Sequence, residues 1–369
     1  MNAPLRPRWR VVIGAACAVL LGMASFSGCA AEPAATTSTT PATATDCPAG
    51  PADSAPALRP DRAAAAPDRG FLWRIRKDGR DAYLYGTLHV GKPAWRTPGP
   101  RVTQALAVSD TLALELDPLD ADVVRRLERG VAARPERTLP AALAQRIERL
   151  ALAECLPPLA LSGLIPEIQI AALLGRLARR DGFDSSYGID MLLAHWGHAE
   201  RKKVVSLETP ELQLQVMQNL PPAAAAPKAS APATATATDR AAQAAQAAQA
   251  ALIAEMHRSV ASALDAIEAG RARPLLARIA QVWADGDLAA LLHYADWCEC
   301  METAQQRAEM ARSLDARNPA LADAIAALHA RGERVFAAVG SLHLIGPTGL
   351  PSLLGQRGFQ VERLVADPP

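Results

Sequence analysis

The sequence predicts an α/β fold, a small mixed central sheet wrapped by many helices, and three observations carry this. Six short segments have strand character. The longer stretches between them have helical apolar spacing. Two of the strand segments run into nearly the same letters, "LYGTLHVG" at residues 84–91 and "AVGSLHLIG" at residues 338–346, some 250 residues apart in a chain with seven histidines. Non-adjacent strands joined through long helical connections imply a sheet with crossovers. With 369 residues, about half of them apolar, the chain can bury a core for one large domain or two small ones.

The first elements are addressing signals. Arg6, Arg8 and Arg10 precede an apolar stretch, 11–23, that is too short for a comfortable membrane span. "FSGC" at residues 26–29 resembles the bacterial lipoprotein cleavage box, with Phe26 where Leu is usual. On that reading residues 1–29 are a leader and Cys29 becomes a lipidated N-terminus that anchors the chain to a membrane. Ala30 follows it, which by resemblance points to the outer rather than the inner membrane. The plainer alternative is an ordinary signal peptide cut after Ala30 or Ala31. Both imply export to the periplasm. Residues 30–68 are mostly Ala, Pro, Thr and Ser, with almost no large apolar residue, and read as a disordered tether. The folded domain takes up residues 69–369.

Within it, "FLWRIRKDGRDAYLYG" reads as a hairpin turning at Asp78-Gly79. "TLALELD" (111–117) alternates, with Leu112, Leu114 and Leu116 on one face and Glu115 on the other. "KVVSLE" (203–208), "RVFAAVG" (334–340) and "FQVERL" (359–364) complete six strands. Helical spacing covers residues 139–155, 165–180, 188–196 and most of 251–331, with Pro140, Pro166, Pro274 and Pro319 near first turns. These helical parts would cap the sheet and shape a cleft. The low-complexity run 221–250 reads as an insertion; its first half suggests disorder and its Ala/Gln half could extend the next helix.

Beyond the leader the cysteines are Cys47, Cys155, Cys298 and Cys300. In an oxidising compartment they can pair. Cys298 and Cys300 look too close to bond each other, so the expectation is Cys155 joined to one of them. A metal site at the two clustered cysteines lacks a second Cys pair.

In each repeated motif Gly86 or Gly340 would let the backbone leave the strand, and His89 or His343 follows three residues later. Ligands bind past the carboxyl ends of strands in α/β sheets. If the two strands are neighbours, the two imidazoles meet. Two imidazoles and a carboxylate make an open catalytic metal site, and Glu115 on the next strand is the carboxylate candidate. A short helix after His343 would add positive potential there. The bland alternative is a repeated turn with its histidine as a cap. His195 and His198 suit a helix C-terminus, and His257, His293 and His329 lie on helices without partners at ligand spacing. HExxH, GxSxG, P-loop and dinucleotide fingerprints are absent. Ser341 is a faint nucleophile candidate. Basic residues are scattered among acids, which gives nucleic-acid binding little support.

Taken together, "YLYGTLHVG", "LALELD", Gly188-Ile189-Asp190, Leu207-Glu208-Thr209, Arg317-Asn318 and "AVGSLHLIGPTGL" resemble the TraB/GumN family, relatives of the Tiki proteins, over about 300 residues from Phe71. The resemblance implies adjacent GxxH strands. Tiki proteins are described as manganese- or cobalt-dependent proteases, and the wider group is similar to erythromycin-esterase-like hydrolases and a haem-binding lipoprotein. Carried over, His89, His343 and Glu115 would hold a divalent ion (manganese, cobalt or zinc) and do the catalysis, with Arg317 and Glu208 orienting groups or stabilising charge. The expected function is therefore a metal-dependent, peptidase-like hydrolase of the bacterial cell envelope, acting on a peptide or small molecule. The alternative is a non-catalytic lipoprotein that binds haem, a metal or a small ligand in the same pocket.

Overall fold

The computed structural model describes residues 47, 58, 66–218, 220, 235–298, 300–301 and 303–365. The leader with Cys29, most of the 30–68 stretch and the first part of the insertion lie outside the described residues. The Ala/Gln run of the insertion is helical, part of the helix Ala235–Glu268.

The hairpin forms as its letters imply. β1 (Phe71–Lys77) and β2 (Arg80–Thr87) pair antiparallel around Asp78 and Gly79, whose φ values of 51° and 72° need the left-handed region. β3 (Thr111–Leu114), β4 (Lys203–Ser206), β5 (Val335–Gly340) and β6 (Gln360–Arg363) complete a mixed six-stranded sheet of order β4-β3-β5-β2-β1-β6. β4, β3, β5 and β2 run parallel; β1 opposes β2 and β6. The two GxxH strands, β2 and β5, are direct neighbours, with Gly86 opposite Val339 and Thr87 opposite Gly340.

β3 is shorter than its alternating letters suggest, and all four of its residues are buried. Helix Ile189–Ala199 packs on β3 and β4, and helix Asn318–Ala330 on β5. A parallel strand covered on both sides has no solvent face, so alternation there carries no inside–outside signal. A second apolar cluster joins the helices Ala141–Ala153, Pro166–Arg179, Ala235–Glu268 and Ala272–Asp285, and Leu276 touches both cores. The indole N–H of Trp283 donates to the Gly86 carbonyl at 2.8 Å, which fixes this helical layer against β2.

Two expectations are corrected. Cys155 bonds Cys47, and Cys298 bonds Cys300. The Cα atoms of the second pair are 5.1 Å apart, within the ordinary disulfide span, so the close spacing does not forbid the bond. Part of the stretch read as a tether is thus joined to the domain: Cys47 by its disulfide, and Leu58, which is buried in the main core.

Candidate functional site

The site lies past the C-terminal ends of β2, β3, β4 and β5. Backbone pairing between β3 and β4 continues one step beyond the strands, with Leu207 N–H donating to the Leu114 carbonyl and Glu208 N–H to that of Glu115. Glu115 and Glu208 are thereby carried to the same sheet end as the two motifs. The glycines act differently from the sequence expectation. Gly340 has φ −53° and neither motif glycine has positive φ, so neither frees the backbone. Both make room. A Cβ on Gly86 would come within 2.6 Å of Leu344 Cδ1 and 2.8 Å of Ser341 Oγ, and one on Gly340 within 3.2 Å of Glu115 Oε1. Close approach between the loops, rather than a turn, requires them.

His89 Nδ1 lies 2.6 Å from Asp190 Oδ2, and the Thr87 hydroxyl donates to the other oxygen of Asp190. Asp190 sits in the first turn of helix Ile189–Ala199, whose first amide donates to the Leu88 carbonyl at 2.7 Å. Helix start and motif are therefore held together by backbone. A Cβ on Gly188 would lie 2.6 Å from the His89 carbonyl oxygen, so only glycine permits this contact.

His343 Nδ1 donates to Asn318 Oδ1 at 2.5 Å, since the Asn318 amide nitrogen is used on the Thr348 carbonyl at 2.9 Å. That fixes the tautomer and leaves Nε2 with its lone pair, 3.8 Å from Glu115 Oε1.

Glu115 is fully engaged. Gly340 N–H donates to Oε1 at 2.6 Å; Arg317 Nη2 and Gln213 Nε2 donate to Oε2 at 2.9 and 3.1 Å. Arg317 also binds Glu208 through Nε at 2.8 Å and through Nη2. Its remaining Nη1 donates to the Ser313 carbonyl at 2.9 Å, in the π-helical turn Ala311–Asp315. All three side chains are at most 5% exposed.

Burial opposes ionisation of Glu115, but the positive charges of His343, Arg317 and His89, in that order, and the Gly340 N–H overcome that and hold its pKa down at about 2. Burial pushes His343 down to about 4, with Arg317 and His89 adding to the effect and Glu115 opposing it. His89 is equally buried, yet the Asp190 carboxylate, its hydrogen bond and Glu115 outweigh desolvation and raise its pKa. At neutral pH the site thus holds an ionised Glu115 and a neutral His343, while His89 keeps its proton to a higher pH than a free imidazole would.

These groups form the polar wall of a pocket of about 1170 Å³, counted out to open solvent. Leu174 and Ala178 from helix Pro166–Arg179, Leu276 and Trp283 from helix Ala272–Asp285, and Tyr294 and Trp297 from the next turns form its apolar side. The helical middle of the chain therefore shapes the cleft. The short helix Leu350–Gln356 contributes no residue to that lining. Ser341 Oγ donates to the Thr87 carbonyl at 2.9 Å, which ties the two motifs and places a carbonyl rather than a base on its proton.

With this geometry in hand, comparison with known families decides the kinship. The TraB/PrgY/gumN family model matches residues 71–363. The chain belongs to the TraB/PrgY/gumN family. No curated protein and no solved structure matches it.

His89, His343, Glu115, Arg317 and Glu208 are brought together as the sequence suggested. Asp190, Asn318 and Gln213 complete the site without having been singled out for a role. Asp190 and Asn318 stand in the family-like stretches, and Asn318 is next to Arg317. Gln213 gave no local signal. Of the remaining five histidines, His198 pairs with Asp117 at 2.8 Å, His257 and His329 contact backbone carbonyls, and His293 meets Asp296.

For a divalent ion, the trio His89, His343 and Glu115 does not fit as it stands. Both Glu115 oxygens already accept N–H bonds, and a guanidinium is 2.9 Å from one of them. Among the described residues no three His, Cys, Asp or Glu side chains are gathered so as to hold a metal.

Proposed function

We propose that this family member is a hydrolase of the cell envelope in which His89, oriented by Asp190, is the general acid and base. The observation that carries this is the Asp190–His89 pair at 2.6 Å, with its free Nε2 edge on a pocket shared with His343. A carboxylate on Nδ1 fixes the tautomer and stabilises the imidazolium that forms when Nε2 takes a proton from water. His343, kept neutral, offers a second lone pair at Nε2 to position the attacking water. Arg317, held by two carboxylates, sets the field of the polar wall. Four of its five N–H donors are taken up by Glu115, Glu208 and Ser313, so the reading assigns it positioning rather than direct oxyanion contact. The apolar side suits a substrate with a carbonyl group on an apolar body, peptide or small molecule. No step is routed through a metal.

The test is turnover of a panel of chromogenic esters and fluorogenic peptides by the wild type, His89→Gln and Asp190→Asn. The expected loss is on the order of 10²–10⁴-fold for His89→Gln, the usual contribution of general acid–base catalysis. Unchanged hydrolysis in both folded variants would contradict the reading.

A second reading is binding without turnover, of a metal, haem or small ligand. It is favoured by the two Nε2 atoms, both left open by Nδ1 partners, the arrangement metal-ligating histidines adopt. Elemental mass spectrometry after incubation with manganese, cobalt or zinc separates the two. About one ion per chain, lost in His89→Ala and His343→Ala, would move binding ahead.

A further inference from the structure

The segment 150–164, "LALAECLPPLALSGL", has one charged residue in fifteen. That residue, Glu154, is buried and turned inward, where both its carboxylate oxygens accept from Arg180 Nε at 2.8 Å. Apart from Ser162 and Gly163, the outward residues are apolar. Leu152, Ala153, Pro157, Pro158, Leu159 and Ala160 are all exposed, Leu159 at 67% and Leu152 at 45%. Leu159 is held in the left-handed region at φ 58°, with its amide fixed to Glu148 at 3.0 Å, so its display is built into the turn. Single exposed leucines are ordinary on a soluble protein; a run of apolar residues whose only charge faces inward is not.

A second, independent observation says what covers it. Cys155 in this segment is bonded to Cys47, so the N-terminal chain joins the domain at this corner. Upstream of Cys47 lie the apolar stretch 11–23 and Cys29 in its lipoprotein-like box. At most about 65 Å of extended chain separates Cys29 from Cys47, so an anchored N-terminus keeps this corner within that distance of the bilayer.

We propose that segment 150–164 is a lipid-docking surface, by which Leu152 and Leu159 rest in the headgroup–acyl boundary of the membrane that holds the N-terminus. It rests on the exported, anchored reading of the leader, and not on the hydrolytic one. The disulfide supplies proximity, and the apolar loop then adds weak, reversible contact.

The experiment reconstitutes the full chain in vesicles of phosphatidylethanolamine and phosphatidylglycerol, part of the lipid being brominated. An indole is added by Leu159→Trp, or by Val108→Trp as an exposed control remote in sequence. Exposed positions tolerate the change, and each emission is read above that of the five tryptophans downstream of Cys29. The expected result is flotation of all chains with the vesicles, a blue shift and bromine quenching for Leu159→Trp, and neither for Val108→Trp. Flotation with equal quenching at the two positions overturns the surface and leaves the anchor standing. A chain that stays in solution overturns both.

Discussion

Arg317 is the side chain on which the site's charge balance turns. Glu115 and Glu208 approach it from adjacent strands, and all three are almost wholly shielded from water. Removing the guanidinium leaves two buried carboxylates facing each other, and breaking a buried pair in this way costs about 3–5 kcal/mol. Arg317→Gln should lower the thermal midpoint accordingly, with part of the loss recovered in Arg317→Gln/Glu208→Gln. A double variant no more stable than the single one would contradict the shared-cation arrangement. At this scale the sequence was legible where a residue sat in a repeated or punctuated context. His89 and His343 announce themselves by a shared motif, and Glu115 by its place on the following strand. Gln213 could not be found this way, because its two carboxylate contacts depend on how the helix Pro210–Met217 lands beside β4, which no local pattern encodes.

Among the elements, the start of helix Ile189–Ala199 decides whether His89 has its partner. Its approach to the first motif depends on Gly188, where any Cβ would press on the His89 carbonyl at 2.6 Å. The obstacle is backbone, which cannot rotate aside. Gly188→Ala should destabilise by about 1–3 kcal/mol, the range for overpacking a close-packed contact, and should weaken the Asp190–His89 pair. Chemical denaturation measures the first; a fall in His89 pKa reads the second. Gly340→Ala meets only the Glu115 carboxylate at 3.2 Å and should cost less. The strands were read correctly because β2 and β5 carry strong apolar runs ending in glycine. The reason given for those glycines was wrong: they provide clearance, and clearance is set by what packs opposite, which a single strand does not reveal. The same blindness explains the cysteines, whose pairing depends on where Cys47 meets the domain.

Across the whole molecule, the site makes stability depend on pH in two directions. His343 binds a proton less readily when folded than its ordinary 6.5, so its contribution is complete above that value and is lost as pH falls toward about 4. Glu115 acts in the same sense further down, from its ordinary 4.5 to about 2. His89, raised, contributes below 6.5 and loses that contribution as pH rises through its folded value. Urea midpoints should therefore fall between pH 6.5 and 4, and His343→Gln, which keeps a partner for Asn318, should flatten that limb. An unaltered limb would place the acid sensitivity elsewhere. The overall architecture was legible in outline, six strands and a helical cap, because strand and helix periods differ. The pocket's depth was not, since it arises from helices Pro166–Arg179 and Ala272–Asp285 meeting the sheet ends, far apart in sequence.

The measurement that tests the central claim most directly is a proton NMR titration of the imidazole resonances of His89 and His343, in the wild type and in Asp190→Asn. The claim is that two like motifs in one pocket shift the proton affinities of their histidines in opposite directions. The expected result is a His89 midpoint above 6.5 that falls in Asp190→Asn, beside a His343 resonance that stays neutral until about pH 4. Two histidines titrating together near 6.5, or a His89 midpoint indifferent to Asp190→Asn, would contradict it.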